Sequence, residues 1–275
     1  MTATLTRPIW TTEYELEIVD KLISQYAPHV PVKQETRPIE TQEELDNFCR
    51  FRIRGAAHDL FIVQVCAKAI NQIATNDPEL QLFLSRQLGD DGAHAQHTRL
   101  RVEALSGHDP IDEIQQQVKK HWEFMGDLPI RDWFGFLAFE LHYELHIVAS
   151  LILNKRLTKI NDPNSASFAV EKIIPDEAFH RLGVVREWQC KYDKASPQQK
   201  AEFAVKLIEA DEEGQRCRNS YLKSHWEITH RALGYEHEAE GIEVIYDAWR
   251  REVLAYLLDI SVSQLPKLVS VSEVN

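Results

Sequence analysis

Apolar residues recur at intervals of three and four along most of this chain, the spacing of a helix that buries one face. The 11 prolines and 10 glycines lie mostly between these periodic stretches, where they separate one element from the next. No stretch alternates apolar and polar residues in the manner of a strand. The pattern therefore predicts an all-α protein.

Helix start and stop signals divide the pattern into elements. Thr41 precedes two glutamates, Asp77 precedes a proline, and Gly107 interrupts the second long periodic stretch. The predicted helices are a short one at 12–26, helix A at 42–74, helix B at 78–106, helix C at 131–157, helix D at 165–192, a fifth at 196–233 and a last at 238–258.

The connections predict how these helices are arranged. A–B and C–D are joined by short turns and should form two hairpins, whereas residues 108–131 could run the length of a bundle as a crossover. We expect a single domain over residues 1–275, with a core bundle at 41–192 and additional helices at 193–275.

Composition and charge narrow the class of protein. The chain has 43 acidic and 31 basic residues, a net charge of −12, which disfavours nucleic-acid and anionic-membrane partners. No stretch of about 20 apolar residues and no signal peptide is expected, so we predict a cytoplasmic protein. The four cysteines lack zinc-type spacing and should be reduced thiols in or near the core.

Each of helices A to D carries an acidic residue within its apolar stripe, although carboxylates are rarely buried without a partner. In helices B and D a histidine follows three residues later, on the same side of the helix. The candidate residues are Asp59 in helix A, Asp91 and His94 in helix B, Glu144 in helix C, and Glu177 and His180 in helix D.

The spacing of these residues predicts that they meet. Asp59 and Asp91 are 32 residues apart, and Glu144 and Glu177 are 33 apart, so two hairpins would bring all four carboxylates to one level. Carboxylates can bridge and neutralise two cations, and histidines supply neutral nitrogen ligands. The residues thus predict a site for two metal ions.

Two positions keep alternatives open. Glu140 lies one turn before Glu144 on the inward side of helix C; we favour Glu144 as the ligand because of its spacing. Glu140 would then act in catalysis by orienting His180 or a bound water rather than by holding metal. In helix A, His58 is adjacent to Asp59 and could replace or assist it.

Other acidic residues of these helices have alternative interpretations. Pro175 precedes Glu177 by two residues, so helix D could begin there and place Glu177 in a first turn. Asp90 is expected to be exposed, and the acidic run 211–213 of the fifth helix is expected to be a solvated face.

The order of these motifs resembles the ferritin-like di-iron carboxylate superfamily over residues 41–192. Its pattern is a lone carboxylate, a carboxylate-x-x-His pair, a crossover, and the same again. The resemblance implies a ferritin-like four-helix bundle with two iron ions held by Asp59, Asp91, His94, Glu144, Glu177 and His180. Aspartate stands at two positions where glutamate is usual, and its shorter arm is expected to weaken bridging, to lengthen the metal separation or to favour a different metal such as manganese.

The same resemblance implies a dioxygen-dependent oxygenase or oxidase that acts on a small organic substrate with an unidentified electron donor. One alternative is a protein that oxidises and stores iron, against which stand about 80 additional C-terminal residues. A second is a heme-oxygenase-like helical enzyme with different ligands or no cofactor. A metal-free scaffold would leave the buried acids unexplained. The oligomeric state is open, with a homodimer as one candidate.

Overall fold

The computed structural model describes residues 7–26, 35–234 and 242–273, and it confirms the all-α prediction. Helices account for 81% of the structure, and no strand occurs in its described part. A single isolated parallel bridge joins Arg37 to Ile160. Part of the predicted last helix, residues 238–241, lies outside the described residues.

The helices lie close to their predicted bounds. They are α1 Thr12–Tyr26, α2 Gln42–Gln72, α3 Pro78–Ser106, α4 Ile111–Met125, α5 Leu128–Arg131, α6 Trp133–Glu140, α7 Val148–Leu157, α8 Pro163–Phe168, α9 Ile174–Tyr192, α10 Pro197–Leu233 and α11 Ile242–Leu258. The predicted helix C thus comprises α6 and α7, and the predicted helix D comprises α8 and α9.

Local capping chemistry sets the ends of the first hairpin. Thr41 and Glu44 form a reciprocal capping box at the start of α2. The side chain of Asp77 accepts a hydrogen bond from the backbone N–H of Leu80 and caps α3. That helix ends at Gly107, whose φ of 80° lies in the left-handed region that favours glycine.

Two π-helical segments interrupt the second pair of helices. The first, π1, spans Leu141–Leu145 between α6 and α7, and the second, π2, spans Ala169–Ile173 between α8 and α9. Because π2 leads directly into α9, the helical run does not begin at Pro175. The change from i+5 to i+4 hydrogen bonding falls beside this proline, which lacks a backbone N–H.

Helices α2, α3, α9 and the π1 segment pack around a common interior. α2 contacts α3, α3 contacts α9, and α9 contacts π1. Between α2 and helix C, the ring of Phe61 lies 5.7 Å from that of Phe139 and 5.1 Å from that of Tyr143. Helix α10 packs against α2, α4 and α6, and α11 packs against α1 and α7.

Two sequence expectations need correction at this level. The helical run Trp133–Leu157 is long and apolar enough to cross a membrane, with a mean hydropathy of 1.4. The most apolar window of this run is 83% buried inside the protein, and one such helix is weak evidence for a membrane span. All four cysteines are free as expected, but Cys190 is exposed rather than near the core.

Candidate metal centre

Helices α3 and α9 and the π1 segment bring together five of the predicted ligands. Asp91, Glu144 and His180 form one group whose potential ligand atoms lie within 4.8 Å of one another. Asp91, His94 and Glu177 form a second such group. The two groups share Asp91, and only Glu177 is partly exposed, at 19% of its side chain.

Both histidines direct the Nδ1 atom into this cluster. Nδ1 of His180 lies 3.7 Å from an oxygen of Glu144, 3.7 Å from one of Glu177 and 4.0 Å from one of Asp91. Nδ1 of His94 lies 3.4 Å from Glu177 and 3.9 Å from Asp91. Two nitrogen donors and three carboxylates therefore surround one buried volume.

An outer aspartate contacts the other nitrogen of each ring. Nε2 of His94 lies 3.2 Å from Asp176 Oδ2, and Nε2 of His180 lies 3.3 Å from Asp90 Oδ2. Each aspartate directly precedes the carboxylate of the opposite motif. Each motif therefore holds the histidine ring of the other, an arrangement that we call cross-bracing. With Nε2–H donated outward, the Nδ1 lone pair points to the cluster. Asp90, which was expected to be exposed, is therefore only partly so, with 25% of its side chain exposed.

The inner atoms of the cluster have no protein hydrogen-bond partner. Both oxygens of Asp91, Oε2 of Glu144, and Nδ1 of His94 and of His180 are buried and unpaired in this sense. Buried polar atoms without partners are rare because desolvation is costly. A bound divalent cation would supply the missing partner, so the donor set fits two metal ions.

The acidic groups of the cluster lie so close together that they shift one another's pKa values. Burial, and then the charge of Glu177, raise the pKa values of Asp91 and Glu144 well above their ordinary range. Burial alone would lower the pKa of His180, but the carboxylates of Glu144 and Glu177, each 3.7 Å from its Nδ1, raise it to about 12. Protons balance these charges in the metal-free protein, and a metal ion would displace them.

Glu140 lies beside this cluster without belonging to either group. Nε2 of Gln87 donates to Glu140 Oε2 at 3.1 Å and to Glu144 Oε1 at 2.9 Å, which ties the two glutamates together. Burial raises the pKa of Glu140 to about 7, close to neutrality. A carboxyl group with this pKa can hold or release a proton next to the centre.

Asp59 lies near the centre but outside both groups. Its negative charge raises the pKa of Asp91 and that of His94, which places it within electrostatic reach. Its Oδ1 is 3.3 Å from Nδ1 of His58, and its side chain is 17% exposed. The His58 ring stacks on Tyr143 at 4.9 Å. Neither Asp59 nor His58 belongs to a candidate group, so a ligand on α2 stays a prediction from the sequence.

A second buried group was missed by the sequence analysis. Asp211, expected on a solvated face, is fully buried and accepts hydrogen bonds from Nε of Arg250 at 2.8 Å and Nε2 of His146 at 2.7 Å. His142 and His146 form a geometrically possible metal group with Asp211. Although burial alone would raise it, the Arg250 charge holds the pKa of Asp211 well below its ordinary value. The positive charge that a metal ion would provide in this group is already provided by the guanidinium of Arg250.

Sequence reasoning also missed three residues that surround the centre: Gln87, Asp90 and Asp176. The doublets Asp90-Asp91 and Asp176-Glu177 were the available signal, since each paired motif is preceded by a second acid. Which acid turns inward depends on helix rotation, and periodicity alone does not resolve it.

No family model, curated protein or solved structure matches this chain.

Proposed function

We propose that this protein is a non-haem di-iron oxidoreductase, or one with iron and manganese, that uses dioxygen to oxidise a small organic substrate. The proposal rests chiefly on the convergence of two Nδ1 atoms with the carboxylates of Asp91, Glu144 and Glu177. Both Nδ1 atoms and three oxygens of the buried Asp91 and Glu144 lack protein hydrogen-bond partners. Redox-active metal ions in a protected site can reduce dioxygen, and this cluster offers nitrogen and oxygen ligands suited to iron and manganese.

The packing supports a ferritin-like bundle as the scaffold. The α2–α3 hairpin is the first pair, and helices C and D supply π1 and α9 as the second. In this proposal the segment between the pairs, which contains α4 and α5, serves as the crossover. Carboxylate and carboxylate-x-x-His motifs projecting into such a bundle are the known arrangement for two metal ions.

In this proposal His94 and His180 would hold the ions through Nδ1, together with the carboxylates of Asp91, Glu144 and Glu177. Iron bound there would provide the redox chemistry that dioxygen reduction needs, with electrons from an external donor. Glu140 would move a proton at its carboxyl oxygen or orient a bound water.

Metal retention tests the proposal directly. Full-length protein loaded anaerobically with ferrous iron and then desalted should retain close to two ions per chain, measured by elemental analysis. His180→Ala should lose much of this iron, whereas His108→Ala, which replaces an exposed histidine, should not. Wild-type protein that retains no metal would refute the dimetal proposal.

Oxygen consumption separates an oxidase or oxygenase from an iron store. Ferrous protein mixed with dioxygen should oxidise a limited amount of iron and form no mineral core. Addition of the substrate should change the lifetime of any coloured species, because a molecule bound beside the metals changes their access and ligation. Continuous oxidation of a large excess of iron, with a mineral product, would identify a storage protein instead.

A further inference from the structure

Helix α10 makes buried polar contacts with π1, the segment that carries Glu144. The carbonyl oxygen of Asp211 accepts a hydrogen bond from Nε2 of His142 at 2.9 Å, and its carboxylate accepts one from Nε2 of His146, the residue after π1, at 2.7 Å. Both histidines and the aspartate are fully buried. The candidate metal centre uses none of these three residues, so they point to a role in π1 itself.

Two further side chains donate hydrogen bonds to backbone carbonyls of π1. Nη1 of Arg218, in α10, donates to the carbonyl of His142, and Nε1 of Trp249, in α11, donates to that of Leu145 at 2.7 Å. Arg218 is 1% exposed, and Trp249 is fully buried. A buried carbonyl needs a hydrogen-bond partner, and here the partner comes from outside the helical run.

Gly214 allows α10 to approach π1 closely. It lies three residues after Asp211 and four before Arg218, on the same face of α10. A Cβ atom at this position would lie 2.6 Å from Cδ2 of His142, much closer than packed carbon atoms approach one another. The histidine ring therefore reaches the carbonyl of Asp211 because this residue has no side chain.

The conformation of π1 determines the direction of the Glu144 side chain. A π turn contains more residues than an α turn and is rare, and uncommon backbone conformations persist where surrounding contacts stabilise them. A change of π1 to regular α-helix would rotate the residues on its two sides relative to each other by about 100°, the angle per residue. Phe136 and Phe139 fix α6 in the core, so this rotation would turn Glu144 away from Asp91 and His180.

We propose that Asp211, Gly214, Arg218 and Trp249 form a clamp that holds π1 in its π conformation and so keeps Glu144 in the metal cluster. These four are positioning residues, because they act on the backbone and the histidines of this segment and not on a metal. Their effect on the conformation of π1 follows from the contacts alone, whereas their effect on metal binding rests on the proposed function. The additional C-terminal helices α10 and α11 thereby support one side of the centre.

Trp249→Phe and Trp188→Phe form a matched pair for testing the clamp. Trp188 is also fully buried, and its Nε1 donates to the carbonyl of Leu257 at 2.7 Å, so each substitution removes one hydrogen bond of the same kind. Hydrogen exchange of the metal-free protein, measured by mass spectrometry, reports local opening. Trp249→Phe should raise exchange over 141–147 about tenfold more than over 56–66 of α2, the factor expected for one unpaired carbonyl. Trp188→Phe should raise exchange equally in both segments.

Anaerobic chelator competition for ferrous iron measures the consequence for metal binding. The affinity for at least one ion should fall about tenfold or more in Trp249→Phe and should stay at the wild-type value in Trp188→Phe. Gly214→Ala should reproduce the loss, because the new Cβ displaces the ring of His142. Gly89→Ala, at an exposed position where no described atom lies within 4 Å of the new Cβ, should not. Alanine favours helix over glycine at both positions, so neither helix is weakened by propensity.

Two outcomes would overturn the clamp: exchange over 141–147 that does not rise selectively in Trp249→Phe, or wild-type affinity for both ions in this variant. If Trp249→Phe does not fold, Gly214→Ala decides the question by the same measurements. The clamp and the dimetal centre fail separately, because the exchange experiment uses metal-free protein. Wild-type protein that retains no iron would refute the dimetal centre, and selective exchange would still establish that the clamp holds π1. Iron retention without selective exchange would refute the clamp alone.

Discussion

The outer aspartates offer a sharp test of the metal centre, because they contact no predicted inner ligand except the histidines. Asp176 lies 3.2 Å from Nε2 of His94, and Asp90 lies 3.3 Å from Nε2 of His180. Each carboxylate keeps the proton on Nε2 and leaves Nδ1 as the free donor. Substituting either should weaken metal binding while leaving every inner ligand present.

The expected magnitudes differ between substitutions. In Asp176→Asn a neutral oxygen replaces a charged acceptor, and because charge-assisted hydrogen bonds are roughly twice as strong, the affinity of one metal should fall about tenfold. Asp176→Ala removes the acceptor and should cost up to about 100-fold, or about 2.7 kcal/mol. Asp90→Ala should cost less, because Asp90 Oδ2 also lies 3.3 Å from Nε of Arg86, which already offsets part of its charge.

Anaerobic competition between the protein and a chelator for ferrous iron measures both affinities. Asp112→Asn, which changes an exposed carboxylate far from either histidine in sequence, is the matched control. Chemical denaturation of the metal-free variants should show changes within about 1 kcal/mol, so that weaker metal binding cannot be ascribed to loss of fold. Wild-type affinity for both metals in Asp176→Ala would refute the cross-bracing of the two motifs.

Two further predictions concern the buried acids. Glu144→Gln should lose most bound metal, whereas Glu140→Gln should keep much of it and lose activity, because only Glu144 lies within a candidate ligand group. If metal analysis gave the opposite ranking, Glu140, one turn earlier, would be the ligand instead. Asp211→Asn should destabilise the protein by about 3 kcal/mol in urea unfolding, since the buried guanidinium of Arg250 loses its fully buried counter-charge and keeps only Glu212, 2.6 Å away. Glu213→Gln, in an exposed ion pair, should change stability by no more than about 1 kcal/mol, and equal effects would contradict this account.

The sequence alone determined the helical class and most helix ends. Helix periodicity and capping are local properties, so Thr41, Asp77 and Gly107 mark boundaries that the structure places at the same residues. The paired motifs were also visible, because residues three apart share one face of a helix. Their spacing predicted that Asp91 and Glu144 would lie at similar depth, and the structure brings them into one group.

Only the tertiary structure decided the rest of the arrangement. The π1 segment depends on hydrogen bonds over five residues, and no local signal in Leu141–Leu145 distinguishes them from those of an ordinary helix. This segment carries Glu144, while Glu140 ends the preceding helix, so the rotation of these two side chains could not be read from a regular periodicity. The expectation for Asp59 stays a prediction for a related reason, since a rotation of α2 by about 100°, the angle between adjacent residues, decides whether it or His58 faces the metals.

Contacts between helices distant in the chain lie beyond local pattern altogether. Asp90 was expected in solvent, yet it contacts His180, 90 residues later. Asp211 was assigned to a polar face, yet Arg250 of α11 covers and neutralises it. The sequence does not distinguish a polar residue that is exposed to water from one that is buried against a partner. The partner determines which of the two occurs, because a polar group is buried only where an opposite charge or a hydrogen bond offsets the free-energy cost of desolvation.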